Sequence, residues 1–136
     1  EAWTTSIHGY EEGSNAPGLM GEDVGGSGRP YLVGHHQLLA HARAVDIYRN
    51  EGYSRAYSRG EEDERGQIGI ANSGDYRFAL DPANEDDREA ATRAMEFQLG
   101  WFSDPIWLGD YPRSMRRILG DQLPQFTREE RMQVLG

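Results

Sequence analysis

DREAATRAMEFQLGWFSDPIWLGDYP, from Asp87 to Pro112, is the stretch around which the chain is organised. Two sets of apolar side chains recur in it at the three- and four-residue spacing of a helix. These sets are Ala91, Met95, Leu99 and Phe102, and then Ala90, Ala94, Phe97 and Trp101. Together they cover more than a third of a helix circumference, so we predict a helix packed on more than one side. Pro105 is predicted to end this helix, and Gly109 to Pro112 to form a turn.

The residues before this helix predict a β-strand and a helix N-terminus. Gln67–Asn72 combines Ile68 and Ile70 with small residues, which suits a parallel strand packed on both faces. Asn84 is predicted to be the N-cap of the helix, because three acidic residues follow it in the first turn. The strand, its polar exit Asn72–Tyr76 and the helix are therefore predicted to form one βα unit.

The N-terminal half predicts a strand, a long loop and a second helix. Ala2–Ile7 is rich in residues with high β propensity and is predicted to be a strand. Gly9–Gly28 is predicted to be a long loop, either functional or disordered. Pro30 is predicted to open a helix that ends near Gly52. Its apolar stripe is Tyr31, His35, Leu38, Ala42, Val45 and Tyr48, and its three histidines, His35, His36 and His41, are predicted to be structural.

The rest of the chain predicts a connector and two short helices. Tyr53–Arg65 is polar and strongly charged, which favours a solvated or disordered connector. Met115 begins an apolar spacing that predicts a short helix ending at Gly120. Thr127 and Glu130 have the three-residue separation of a capping box, which predicts the start of a last helix.

Length and composition exclude several classes of protein. The chain has 136 residues, which suggests one domain at most. Its formal net charge of −9 disfavours nucleic acid and anionic membranes as partners, because both require a basic surface. It has no cysteine, so disulfides, thiol nucleophiles and cysteine metal sites are excluded. No metal or other cofactor is predicted.

Six motifs, in order, resemble the β-glucosidases of glycoside hydrolase family 1. They are Trp3-Thr4-Thr5, Gly9-Tyr10 with Ala16-Pro17-Gly18, His35–Val45, Gly66–Ile70, Phe97–Pro105 with Gly109–Pro112, and Gly120–Thr127. Each motif is moderately specific, but their common order and spacing make the resemblance strong. It implies an α/β fold, the (β/α)₈ or TIM barrel, in which catalytic groups lie at the carboxyl ends of the strands.

The resemblance also implies that this chain is only part of such a barrel. A complete barrel needs about 250 residues, and this chain has 136. Residues 1–136 would therefore be a fragment of a single barrel domain, from about strand four to the lead-in of strand six. Isolated parallel strands have bare edges, so we expect the isolated chain to dissolve poorly or self-associate.

The activity implied is retaining hydrolysis of β-glucosides, which uses two glutamates about 5 Å apart. In the family the acid/base glutamate lies in an Asn-Glu-Pro motif, which we expect directly after the strand carrying Trp3–Thr5. The residues that follow are Ser6–Tyr10, so the motif is predicted to be missing. Glu11 and Glu12 lie beyond it on the loop side and are not assigned the role. The nucleophile belongs to a later strand, so the chain alone is predicted to be inactive.

Two residues are predicted to border the sugar site of a complete barrel. They are Asn72 and Tyr76, at the exit of the predicted strand five, with Ser73 as a rival to Asn72. The structural alternative for both is an ordinary turn at a strand end.

The implied ligand is a β-glucoside or a related oligosaccharide. The alternative functions are a non-catalytic pseudo-glycosidase that binds a sugar or a protein, and a small independent αβ domain.

Overall fold

The computed structural model describes residues 1–20, 29–51, 53 and 66–136, which form helices joined by turns and irregular segments. The helices are α1 (Ala2–Tyr10), α2 (Arg29–Asn50), α3 (Glu85–Met95), α4 (Trp101–Leu108), α5 (Arg113–Leu119) and α6 (Arg128–Val134). A π-helical turn, Glu96–Gly100, joins α3 to α4, and a 3₁₀ turn, Gly120–Gln122, follows α5. Among the described helices, none has both the length and the apolar character needed to cross a membrane.

Helix α2 is the element against which the others are arranged. It packs against α1 and against α6. The predicted stripe on this helix is confirmed in its middle part, where His35, Leu38 and Ala42 are buried. Gln37 Nε2 donates a hydrogen bond to Ser6 Oγ at 3.0 Å, which joins α2 to the buried side of α1.

The core lies where α4 packs on α2. Trp101 and Phe102 are each 1% exposed, and Leu38 is fully buried. The Trp101 ring lies directly on Gly34, so a Cβ atom built on Gly34 would be 2.6 Å from Cζ2 of the indole and 2.8 Å from Cε2. Because these distances are shorter than van der Waals contact, the packing requires a residue without a Cβ atom at position 34.

A buried polar pair crosses the same core. The Nδ1 atom of His35 and the hydroxyl oxygen of Tyr111 are 2.9 Å apart. The Phe126 ring lies 4.6 Å from the His35 ring and 4.8 Å from the Tyr111 ring, centroid to centroid. Burial lowers the pKa of His35 and raises the pKa of Tyr111, so a neutral imidazole meets a protonated phenol. The structural role predicted for His35 agrees with this contact.

The predicted helix N-termini are confirmed by their hydrogen bonds. The Asn84 side chain accepts a bond from the backbone N–H of Asp86 at 2.9 Å. At α6, Thr127 Oγ1 accepts from the N–H of Glu130 at 3.2 Å, and Glu130 Oε2 accepts from the N–H of Thr127 at 2.8 Å. Both contacts lie within three residues of sequence, which is why the sequence alone predicts them.

The prediction that Pro105 ends the central helix is wrong. Helix α4 contains Pro105 and continues to Leu108. Since α4 begins at Trp101, only one backbone bond, to the Trp101 carbonyl, loses its donor at the proline. The helix ends instead at Gly109, whose φ of 80° is left-handed and whose N–H lies 3.1 Å from the Asp104 and Pro105 carbonyl oxygens.

The strand predicted at Ala2–Ile7 is wrong as well, because these residues belong to α1. The prediction followed β propensity and overlooked a helical spacing from Trp3 to Ile7 to Tyr10. Thr5 Oγ1 also donates to the Glu1 carbonyl at 3.0 Å, a bond typical of a threonine inside a helix. The helix satisfies its own backbone groups, whereas a strand needs a neighbour to do so.

The second predicted strand is also wrong, since residues 66–79 are irregular. The described residues hold no strand, and only an isolated antiparallel bridge between Glu12 and Met20 is seen among them. The expected pair of parallel strands, and with it the expected α/β layering, is therefore not present in the described part of this structure. A segment such as 67–72 becomes a strand only when adjacent backbone completes its ladder.

The two-sided packing predicted for the central helix holds for only part of it. No residue of α3 is buried, and the burial begins with Gly100 at the end of the π-helical turn. The predicted connector 53–65, apart from Tyr53, and residues 21–28 of the predicted loop lie outside the described residues.

We predict that Gly34→Ala destabilises the fold. Alanine favours helix by about 1 kcal/mol over glycine, but its methyl group would overlap the Trp101 ring, and overpacking a core costs about 1–3 kcal/mol. The net loss of unfolding free energy, the middle of this overpacking range less the helix gain, is expected to be about 1 kcal/mol, measured by urea denaturation. Gly69→Ala is the control, because no atom lies within 4 Å of the added Cβ. An unchanged denaturation midpoint in Gly34→Ala would contradict the packing described.

We also predict that the isolated chain self-associates. Phe78 is 84% exposed, Leu80 95% and Trp107 71%, and exposed apolar side chains of this size promote association. Sedimentation velocity at rising concentration should show oligomers. The double substitution Leu80→Ser with Trp107→Ser should shift the distribution towards monomer. Sharp, dispersed NMR signals from the unsubstituted chain at high concentration would count against this prediction.

Candidate functional site

The carboxylate of Glu1 is the centre of the site. Glu1 directly precedes α1, and its carboxylate accepts hydrogen bonds on both oxygens. Ser73 Oγ donates to Oε1, and Thr4 Oγ1 donates to Oε2 at 3.1 Å. Since Ser73 comes from the irregular segment 66–79, this contact joins the start of α1 to the exit of the predicted strand five.

The segment that carries Ser73 is held on its other side by the π-helical turn. The backbone N–H of Asp75 donates to Gln98 Oε1 at 3.2 Å. Gly74 packs so closely on Leu99 that an added Cβ would lie 2.8 Å from two of its side-chain atoms. A π-helical turn widens a helix locally and is frequent at functional sites. Here it fixes the position of the segment that contacts Glu1.

Asn72 is half-buried and lines a cavity of about 400 Å³. Ile68 from the same segment, His41 and Arg49 from α2, and Trp107 from α4 also line this cavity. Burial, and then the nearby Arg49 charge, lower the pKa of His41. Asn72 therefore borders a space with both apolar and hydrogen-bonding walls.

Tyr76 lies on the outside of the same segment. It is 69% exposed and packs edge to face with Phe78, at 4.7 Å between ring centroids. Asn72 and Tyr76, the two predicted substrate-binding residues, are thus four residues apart on one segment, one half-buried and one exposed. Ser73, the rival to Asn72, contacts Glu1.

Glu11 and Glu12 lie at the opposite end of α1 from Glu1. Ten steps along the helix axis from Glu1 to Glu11, at about 1.5 Å each, separate the two ends by about 15 Å. Glu12 Oε2 is 2.6 Å from His8 Nδ1, and Glu11 Oε2 is buried without a hydrogen-bond partner among the described residues. Neither carboxylate can join Glu1 in a pair at the roughly 5 Å that a retaining glycosidase requires.

Glu1 is not among the site residues predicted from the sequence. A strand at Trp3–Thr5 would place the catalytic carboxylate after these residues, whereas they are helical. In a βα unit, the residue at the start of the helix lies at the carboxyl end of the preceding strand, where barrels carry their catalytic groups. The helical spacing of Trp3, Ile7 and Tyr10 was the signal that would have pointed to Glu1.

The model of glycosyl hydrolase family 1 matches residues 1–136, the whole chain. The chain belongs to glycosyl hydrolase family 1. Among curated members it is 43% identical over 143 residues to β-glucosidase 24 of Oryza sativa subsp. japonica, a match that covers all of this chain and 27% of the rice protein. The resemblance expected from the six sequence motifs is therefore confirmed.

Solved structures of the family support the same assignment. The chain matches β-glucosidase 2 from the fungus Trichoderma reesei, solved in complex with Tris, with a TM-score of 0.85 and 45% identity; the match covers 100% of this chain and 27% of that one. It also matches a family 1 β-glucosidase from the fungus Humicola insolens, solved with glucose, with a TM-score of 0.85 and 42% identity, covering 100% and 28%. The chain spans about a quarter of the length of these relatives.

Proposed function

We propose that this chain is part of a retaining β-glucosidase of family 1, which hydrolyses O-glycosidic bonds of β-glucosides in a complete (β/α)₈ barrel. The observation that carries the proposal is the match of the family over every residue of the chain. The similarity in structure to two fungal β-glucosidases, each with a TM-score of 0.85, supports it. The sugar ligand and the barrel both belong to the longer protein.

Within that protein, Glu1 is our candidate for the general acid that protonates the leaving oxygen. This replaces the expectation that the chain carries no acid/base glutamate, because that expectation relied on a strand at Trp3–Thr5. Two features support the assignment: the position of Glu1 directly before α1, and the hydroxyl groups of Ser73 and Thr4 on its two carboxylate oxygens. A carboxylate fixed at both oxygens is oriented in advance for proton transfer.

Asn72 and Tyr76 remain our candidates for residues that border the sugar. Their segment carries Ser73 and so runs beside the Glu1 carboxylate. An amide can exchange hydrogen bonds with sugar hydroxyls, and an exposed tyrosine ring offers a flat apolar face beside a polar hydroxyl. The attacking carboxylate must come from a part of the barrel outside these 136 residues.

We predict that the isolated chain does not cleave p-nitrophenyl β-glucoside. Retaining hydrolysis needs two carboxylates about 5 Å apart, and Glu11 and Glu12 are about 15 Å from Glu1. Release of p-nitrophenol by the chain should equal that by its Glu1→Gln variant and by buffer. Turnover that is abolished by substitution of Glu11 or Glu12 would contradict the prediction.

A chimera tests the role of Glu1. The 136 residues replace the matching segment of the Trichoderma reesei β-glucosidase, to which they are 45% identical. We expect this chimera to hydrolyse p-nitrophenyl β-glucoside, and Glu1→Gln to lower kcat by about 10²–10⁴, the range typical of a lost general acid. The loss should be larger for a glucoside with a poorer leaving group, because such a group depends more on protonation.

Glu12→Gln is the matched control for this experiment. Glu12 lies two residues beyond the end of α1 and contacts His8 of that helix rather than the Ser73 segment, so kcat should change little. Full activity of the Glu1→Gln chimera would refute the assignment. A folded chimera without activity before any substitution would favour the non-catalytic sugar- or protein-binding alternative.

A further inference from the structure

A second polar cavity lies between α3 and α5, apart from the Glu1 site. Its volume is about 450 Å³, and it is lined by four arginines, Arg88, Arg93, Arg113 and Arg117. The whole chain has 14 basic residues and no lysine, and its net charge is −9. Four of the 14 arginines therefore line one cavity of a chain that is acidic as a whole.

Two of the four arginines have neither an ion pair nor a side-chain hydrogen bond in the described part of the chain. Arg93 lies 3.6 Å from Glu89, and Arg88 donates to the Pro82 carbonyl oxygen at 2.8 Å. Arg113 and Arg117 make no ion pair with any described carboxylate. The three glutamates that also line the cavity come from α3 and the π-helical turn, so the α5 wall carries two arginines and no carboxylate.

Ser114 supplies an independent observation at that same end. It lies between the two free arginines in sequence, lines the cavity and is only 7% exposed. Its Oγ atom is buried and has no hydrogen-bond partner among the described residues. A buried hydroxyl without a partner costs free energy, and a ligand that accepts its proton would remove that cost.

We propose that this cavity binds a phosphate dianion, either free or as a monoester, through Arg113, Arg117 and Ser114. Guanidinium groups donate paired hydrogen bonds that match the oxygens of a phosphate, and the serine hydroxyl donates a third bond to the same group. None of these residues contacts Glu1 or the Ser73 segment. This inference therefore goes beyond the glucosidase function, and either one can fail without the other.

Isothermal titration calorimetry of the 136-residue chain tests the site, with inorganic phosphate and phenyl phosphate as separate probes at low ionic strength. We expect at least one probe to bind with a dissociation constant of about 1 mM or lower, and the tighter probe identifies the source of the phosphate. Arg113→Ala should weaken binding at least about tenfold. Absence of binding by both probes up to about 10 mM would overturn the proposal.

Arg128→Ala is the matched control, because Arg113 and Arg128 are both exposed first residues of seven-residue helices. It should change phosphate affinity by less than about twofold. Wild-type affinity in Arg113→Ala would exclude this arginine from the site, and an equal loss in Arg128→Ala would show that the ion senses net charge alone. Either result would refute the site.

Ser114→Ala gives a readout that does not depend on charge. Without phosphate, its melting temperature should be unchanged or higher, because the substitution removes an unsatisfied buried hydroxyl. With phosphate, its affinity should fall about fivefold. Unchanged affinity in this variant would exclude the serine from the site and, with it, the geometry that we propose.

Discussion

The close contact between the Trp101 ring and the backbone of Gly34 is the constraint on which the rest of this structure depends. A flat indole can approach a helix axis only where no Cβ projects, so one glycine of α2 fixes how near α4 comes. With that distance set, Phe102 on α4 and Leu38 on α2 reach the same core and are buried there. Helix α2, which contacts α1, is therefore also the helix that anchors α4, and the π-helical turn directly precedes α4.

This arrangement links the core to the candidate site through two short routes. Along the first, Gln37 of α2 donates a hydrogen bond to Ser6. This bond fixes α1 and hence the position of Glu1, which directly precedes α1. Along the second, the π-helical turn, which ends one residue before Trp101, bonds to Asp75 and so fixes the segment that carries Ser73. The two routes meet at the bond between Ser73 and Glu1. The orientation of this carboxylate is thus a consequence of how α2 and α4 pack.

The features that could be predicted from the sequence are those determined within one turn of helix. The N-cap at Asn84 and the capping box from Thr127 to Glu130 require residues only two or three positions apart, and the α2 stripe follows from its own spacing. The strand predicted at 67–72 failed because a strand is defined by a partner segment, which local sequence does not supply. Glu1 was missed because β-branched residues after it outweighed a helical spacing.

The family resemblance was more reliable than the secondary-structure prediction, and there is a physical reason. Motifs such as Phe97–Pro105 and Gly120–Thr127 are matched by their sequence alone. The secondary structure of a segment also depends on which adjacent segments of the chain are present. An α-helix forms its hydrogen bonds within itself, so it can form in a partial chain, whereas a parallel strand needs an adjacent strand. Helices should therefore keep their bounds, and segments such as 67–72 should become strands, when the remaining barrel is supplied. Under the proposed role of Glu1, its carboxylate is already oriented by Thr4 and Ser73, and hydrolysis would require a second carboxylate from the rest of a barrel.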